Sequence, residues 1–247
     1  MGVLKTQNLN KESLDCTIVL PAINEADILE QAVKKISQAI KACGCTYEII
    51  IAEDGSTDGT DKKAAELSQS LPCVCHLHSD KRLGRGKALS NSFRQSHGNV
   101  LIYMDVDLAT DLKHLSQLIS AVTVEGYLLA TGSRMFSQSK AKRTFTRAFV
   151  SKVYNFMVRL ILKSKVKDHQ CGFKAFQRVM LLSLLDEVDA KHWFWDTEVL
   201  VRAQRKGYKV KEFPVEWGST RETKVKLFHD SFDMGLKIFV LWLHLSF

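Results

Sequence analysis

Apolar positions along the chain fall into two alternating patterns. Short, nearly continuous runs at Thr17–Leu20, Glu48–Ala52, Val74–Leu77 and Val100–Met104 predict strands. Between them, apolar residues recur at helical spacing. Ile28, Leu29, Ala32, Val33, Ile36 and Ile40 predict a helix over Glu25–Ala42, and two more are expected over Asp58–Ser70 and Lys87–Ser96. Asn24 and Asp58 stand where caps are wanted. Strands that alternate with helices of this length imply a mostly parallel sheet covered on both faces, the α/β class. The unbroken Ile49-Ile50-Ile51 suits a strand buried on both sides.

The second half reads differently. Arg143–Lys163 is a helical pattern that places Phe145, Phe149, Val153, Phe156, Met157, Leu160 and Ile161 on one side, with Arg147, Lys152, Arg159 and Lys163 among them. Further helices are expected over Gln177–Leu185 and Thr197–Lys206, a strand over Lys209–Trp217, and a last helix from Phe228 onward. No Pro-, Gly- or Ser-rich linker interrupts the chain. The expected division is a polar extension over 1–14, one domain over 15–227 and an apolar amphipathic helix over 228–247.

Hydrophobic residues make up 45% and charged residues 25% of the 247, which excludes a disordered or collagen-like chain. The formal net charge of +8 favours anionic partners: phosphate-rich ligands, an acidic membrane surface or nucleic acid. The first thirteen residues lack the apolar core of a secretory signal, and no stretch reaches the ~18 apolar residues of a spanning helix. Six cysteines then point to a reducing compartment and free thiols. The two Cys-x-Cys pairs fit zinc spacing poorly, and the histidines read as ordinary surface or satisfied residues.

In a parallel α/β sheet, ligands bind beyond the carboxyl ends of the strands. There stand Glu25, Glu53, Asp54, Asp105 and Asp107, a concentration of carboxylates in a basic chain that calls for a cation or a donor-rich ligand. Asp105-Val106-Asp107 leaves a buried strand and suits a hard divalent ion, Mg²⁺ or Mn²⁺, with substrate phosphates completing its shell. The competing reading is a cap and turn before Leu112. The turn after the first strand has no glycine, which excludes a dinucleotide fingerprint, and Gly84-Arg85-Gly86-Lys87-Ala88 lacks the upstream glycine of a phosphate loop. That run is either a donor of backbone N–H groups and cations to a diphosphate or a plain basic turn.

Pro21-Ala22-Ile23-Asn24-Glu25, Glu53-Asp54-Gly55-Ser56-Thr57-Asp58-Gly59-Thr60 and Asp105-Val106-Asp107, in that order, resemble the family-2 glycosyltransferases of GT-A fold. Gly132-Ser133-Arg134, Gln170-Cys171-Gly172-Phe173-Lys174, Trp193-Phe194-Trp195-Asp196-Thr197-Glu198 and Pro214-Val215-Glu216-Trp217 resemble the polyprenyl-phosphate sugar synthases, the dolichyl-phosphate glucosyltransferase branch more than the mannose branch. The resemblance runs from Thr17 to Lys226. It implies a single Rossmann-like domain with amphipathic helices at its end. It implies nucleotide-sugar contacts at Pro21, Ile23, Glu25, Ala52, Asp54, Asp105 and Lys224; Val106, within the Asp-x-Asp, and Arg85 and Lys87, from the basic run, are expected beside them. Asp105 and Asp107 would hold the metal, Asp107 and Arg134 would serve catalysis, and Arg134, Arg143 and Arg147 would meet the acceptor phosphate. The mannose branch carries a further metal-ligating glutamine where this chain has Ala109.

The implied reaction moves a hexose from a nucleotide diphosphate sugar, UDP-glucose favoured and GDP-mannose possible, to a polyprenyl or dolichyl phosphate. An anionic acceptor needs positioning more than a general base, and direct displacement inverts the anomeric centre. The expected place is the cytoplasmic face of a membrane, as a peripheral protein. A soluble-acceptor transferase is the alternative; a basic nucleic-acid binder is remote, because it leaves the carboxylates unexplained. Trp193, Phe194 and Trp195 read as core before sugar platform, Asp196 and Glu198 as caps or, for Glu198, a sugar contact.

Overall fold

The computed structural model describes residues 14–142, 144–218 and 227–246. In chain order the elements are β1 (Cys16–Ala22), α1 (Leu29–Ala42), β2 (Tyr47–Glu53), α2 (Thr60–Ser70), β3 (Val74–Leu77), α3 (Arg85–Gln95), β4 (Val100–Met104), α4 (Leu115–Thr123) and β5 (Leu129–Ser133). Then follow β6 (Ala141–Lys142), α5 (Phe145–Ile161), β7 (Phe173–Gln177), α6 (Arg178–Leu185), α7 (Trp195–Arg205), β8 (Val210–Pro214), β9 (Trp217–Gly218) and α8 (Leu227–Ser246).

The four strands expected in the first half form, side by side and parallel, in the order β3-β2-β1-β4. The sheet continues β7-β5-β8, and β7 runs antiparallel to both its neighbours. Strand alternation divides the core into two layers. Ile18, Leu20, Ile49, Ile51, Ile102 and Met104 pack with Leu29, Ile36 and Leu118 of α1 and α4. Val19, Ile50, Leu101 and Tyr103 face the other way, onto Leu89, Phe93, Leu181, Trp195 and Leu200 of α3, α6 and α7. A third, smaller cluster joins Tyr154, Val158 and Leu162 to Val201 of α7 and to Met234, Ile238 and Leu241 of α8.

Several boundaries differ from expectation. The first helix starts at Leu29, not Glu25. Asn24 takes a left-handed conformation (φ 52°) that suits its short polar side chain, and it does not cap α1. Its Oδ1 instead accepts from the Thr57 N–H, while its own N–H donates to Ser56 Oγ. Asp58 does not cap α2 either: the N-cap is Gly59, and Asp58 instead accepts from Thr60 N two residues on and, with its second oxygen, from Ala26 N. The helix expected at Lys87 begins at Arg85. The strand expected over Lys209–Trp217 divides into β8 and β9, the latter pairing with β6. Strands β5 and β7 and helix α4 have no counterpart in the sequence reading.

Candidate active site

The parallel strands end together, and because β7 runs backwards its beginning lies at that same edge. A lysine, an aspartate pair and a glycine thereby meet. Gly172, just ahead of β7, accepts the Asp105 N–H at its carbonyl, and a Cβ at Gly172 would fall onto the Asp105 carboxylate. Only glycine leaves room for that carboxylate.

Asp105 opens a chain of ion pairs. Arg85 donates from Nη2 to Asp105 Oδ1 and from Nη1 to Asp196 Oδ2, both at 2.8 Å. Asp196 Oδ1 receives Lys174 Nζ at 2.8 Å and also accepts from the Tyr103 hydroxyl. Lys174, fully buried in a strand, completes its shell with the carbonyls of Cys171 (2.6 Å) and His169 (3.1 Å). The Arg85 guanidinium lies over the Tyr103 ring, 4.9 Å from its centroid. Burial pushes the Asp196 carboxyl up, with Arg85 pulling it back, and burial draws the Lys174 ammonium down. Three buried or half-buried charges thus share one low-dielectric compartment beside Asp105. Removing one would leave the others uncompensated.

A second pair flanks this network. Arg134, at the end of β5, meets Asp168 in two parallel hydrogen bonds of 2.7 and 2.8 Å, and its backbone N–H donates to the same carboxylate. This fork geometry is the strong form of an Arg–carboxylate pair, and it holds the Asp168 carboxyl far below its ordinary range against the cost of burial. The loop bearing Asp168 is pinned from outside. Glu212 of β8 accepts the N–H groups of Lys167 and Asp168, and Asn155 of α5 accepts both the N–H and Nδ1 of His169. Tyr154 of α5 is hydrogen-bonded to Thr197 of α7 at 2.6 Å, and Gln170 donates to the same hydroxyl. Helix α5 is therefore wired to the floor of the site.

The residues singled out in sequence land unevenly. Asp107 is exposed and Asp105 half-exposed, while the Val106 side chain is buried in the core. Pro21, Ile23 and Glu25 are half-buried around the end of β1, and Ala52 is buried. Asp54 accepts the N–H groups of Leu83 (2.6 Å) and Gly84 (2.9 Å). The Lys87 N–H is bound to the Lys191 carbonyl. The N–H groups of Gly84 and Lys87 are thus bonded within the fold, which favours the plain-turn reading for these two amides. Nor do the five carboxylates form one unscreened cluster: Glu53 and Asp54 point to opposite faces of the sheet, and Arg85 already answers Asp105. Glu198 accepts from Ala190 N and from Arg202 Nε. Asp196 is no cap; its carboxylate is the junction of the network. Trp195 and Phe194 are core, as expected, and Trp193 lies beside Arg85. Arg143 and Lys224 lie outside the described residues; Arg147 is half-buried on α5. Lys174, Asp168 and Asp196 were missed as site residues, although the lone lysine in Phe173-Lys174-Ala175-Phe176 was a visible signal.

Comparison with known proteins decides the family. The model for "Glycosyl transferase family 2" matches residues 17–185. The chain belongs to that glycosyltransferase family. Glycosyltransferase AglD of Haloferax volcanii is 44% identical over 235 residues, covering 94% of this chain but 38% of the relative. The dolichyl-phosphate beta-glucosyltransferase of Saccharomyces cerevisiae is 26% identical over 257 residues, covering 95% of this chain and 77% of that one. This glycosyltransferase chain thus spans well under half the length of its archaeal relative. Among solved structures, glucosyl-3-phosphoglycerate synthase of Mycobacterium tuberculosis with Mn²⁺, UDP-glucose and phosphoglyceric acid superposes with a TM-score of 0.69 at 20% identity, covering 93% of this chain and 79% of that one. The likeness establishes the GT-A fold.

Proposed function

We propose that this glycosyltransferase moves glucose from UDP-glucose to a polyprenyl or dolichyl phosphate at a membrane surface, with a divalent ion and inversion at the anomeric carbon. One observation carries the reading: the helix that orders the floor of the site also presents an apolar outer face. Phe145, Phe149, Val153, Phe156 and Leu160 recur along one side of α5 and are all exposed, Phe145 at 84%. On the adjoining α8, Leu236, Phe239, Val240, Trp242 and Leu243 are exposed while Met234, Ile238 and Leu241 pack inward. An apolar strip of this extent rimmed by Arg147, Lys152 and Arg159 fits the interface of an anionic bilayer. Among the described residues no helix is long and apolar enough to cross one. Peripheral attachment on the cytoplasmic face is part of the proposal, as is the division into a domain over 15–227 and an attachment helix over 228–247.

The residues present fit a hard divalent ion. Asp107 is exposed, Asp105 sits over a glycine that gives its carboxylate room, and both offer the oxygen ligands that Mg²⁺ and Mn²⁺ prefer. When bound, such an ion neutralises charge on the departing diphosphate. Arg85, held by Asp196 and Asp105, is assigned with Lys87 in the first turn of α3 to the donor diphosphate, and Lys224, outside the described residues, is assigned to it by the family resemblance. Pro21, Ile23, Glu25, Ala52 and Asp54 are assigned to the nucleotide, and the backbone at Val106 to the donor edge. Arg134, its plane set by Asp168, is assigned to the acceptor phosphate together with Arg143 and Arg147. A phosphate monoester is an anionic nucleophile near neutral pH, so no side chain is needed to take its proton. Asp196, engaged by Arg85, Lys174 and Tyr103, is accordingly a positioning residue.

The test is a donor panel of UDP-glucose, GDP-mannose and other nucleotide sugars, offered with a short polyprenyl phosphate with and without Mg²⁺ or Mn²⁺. Lipid-linked glucose formed only with UDP-glucose and metal supports the reading. Transfer confined to GDP-mannose, or undiminished by chelation, contradicts it.

A further inference from the structure

At the edge of the sheet, away from the Asp105–Asp196 network, Glu53, His76 and His78 bring three ligand atoms within 4.8 Å of one another. The strand register explains why. Ile51 of β2 stands opposite His76 of β3, and Ile49 opposite Val74, with Ile49, Ile51 and Val74 all in the layer that includes α1. Two residues further along, Glu53 and His78 emerge on that same face. Asp54 points to the other face, toward the start of α3. Strands β2 and β3 lie two and three positions from β4 in the sheet, roughly 10 and 14 Å at ordinary strand spacing. The trio is therefore separate from the Asp-x-Asp carboxylates.

Its chemistry is that of a ligand set. The Glu53 carboxylate is buried; Oε1 accepts from Ser56 N at 2.5 Å, and Oε2 lies 2.5 Å from His78 Nδ1. On its far side, His78 Nε2 is 3.0 Å from Asp80 Oδ1. A carboxylate there keeps a proton on Nε2, so that Nδ1 presents its lone pair inward once the proton it shares with Glu53 has left, the arrangement that orients metal-binding histidines. His76 Nε2 is buried and has no hydrogen-bond partner, the sole side-chain nitrogen or oxygen in that state among the described residues. A buried imidazole nitrogen without a partner is unfavourable unless something else answers it.

We propose that Glu53 Oε2, His76 Nε2 and His78 Nδ1 bind a Zn²⁺ ion, with Asp80 as the outer carboxylate of His78 and water in the fourth position. Two imidazoles and one carboxylate are a zinc set, whereas Mg²⁺ prefers oxygen alone. On binding, the proton held between Glu53 and His78 leaves to solvent, and the lone pairs of all three ligands go to the metal. The ion would tie the end of β2 to edge strand β3. The loop that follows β3 carries the Leu83 and Gly84 N–H groups to Asp54, so zinc would steady that loop.

Titration of the chelator-stripped full chain with Co²⁺, then Zn²⁺, tests this. One equivalent of Co²⁺ should give a tetrahedral d–d spectrum with no thiolate charge-transfer band, be displaced by Zn²⁺, and survive in D107A. Zinc should raise the melting temperature of the wild type, and H76Q/H78Q should lose both the spectrum and the rise. D80N should bind about 10–100-fold more weakly. No uptake by the wild type, uptake unchanged in H76Q/H78Q, or a thiolate band from the cysteines would overturn the proposal. Should the double variant fail to fold, wild-type histidine NMR decides: two ring-nitrogen pairs must shift with one equivalent of zinc, and unmoved resonances refute the site.

Discussion

The sheet edge and the α5–α8 pair treat their side chains in opposite ways. At the sheet edge, charge is taken inside and every buried charged group is answered: Lys174 by Asp196, Asp196 by Arg85, Arg134 by Asp168. Along α5 and α8, apolar side chains are left outside, from Phe145 to Leu243. Neither arrangement is what stability alone selects. Buried ion pairs are often no better than a well-packed apolar core, and exposed phenylalanines gain nothing from water. The first region fixes the direction of a few charged groups; the second leaves apolar area uncovered, the area that the proposed function gives to a membrane surface. Asn155 and Tyr154 join the two by hydrogen bonds, to His169 beside Asp168 and to Thr197 of α7.

The comparison breaks most sharply at Asp107. D107A should lower turnover by at least 10²-fold, the scale of losing one electrostatic contact to a developing charge, while leaving the melting temperature nearly unchanged because no core volume is lost. Steady-state rates beside a thermal melt check both halves. The next effect is on stability. D196A leaves Lys174 and one side of Arg85 without a carboxylate, and urea unfolding should show a loss of about 3–5 kcal/mol.

Acid should weaken the same region. His169 is buried and neutral, and burial brings its pKa down to about 3 from an ordinary 6.5. The unfolded chain therefore takes up a proton below pH 6.5 that the folded chain refuses until about pH 3, so stability is lost as pH falls through that window. At pH 5 the loss is about 2 kcal/mol by linkage. H169Q should flatten this part of a stability–pH curve. The smallest effect on folding is expected on the outer face of α5. F149E/F156E should shift stability by no more than about 0.5 kcal/mol, since both rings are already exposed, yet should reduce binding to anionic vesicles in a co-sedimentation assay.

Periodicity was informative where burial was uniform. The four parallel strands and α1 to α3 follow from runs such as Ile49-Ile50-Ile51, and the Asp-x-Asp turn from its place after an apolar strand. Strand β7 was hidden because Lys174 interrupts its apolar run, and that lysine is tolerated only through partners drawn from β4, α7 and a loop. The same long-range pairing hid Asp168 and Asp196, which look like turn and cap residues until Arg134 and Arg85 are placed against them. His76 and His78 read as ordinary surface residues, since only the register of β2 against β3 brings Glu53 up to them. The boundary of α1 shifted because Asn24 bonds across to Thr57 rather than forward into its own helix.

The central claim, that donor chemistry at the sheet edge serves a lipid phosphate held beside α5, is tested most directly by acceptor competition. Purified chain with Mn²⁺ and labelled UDP-glucose would receive a polyprenyl phosphate in anionic vesicles together with equimolar phosphoglyceric acid or another soluble phosphate. The account predicts label in the lipid fraction, β-linked by NMR, and a marked fall in that transfer in F149E/F156E with hydrolysis of the donor in water unchanged. Label appearing chiefly in the soluble acceptor, and unaffected by the α5 substitutions, would contradict it.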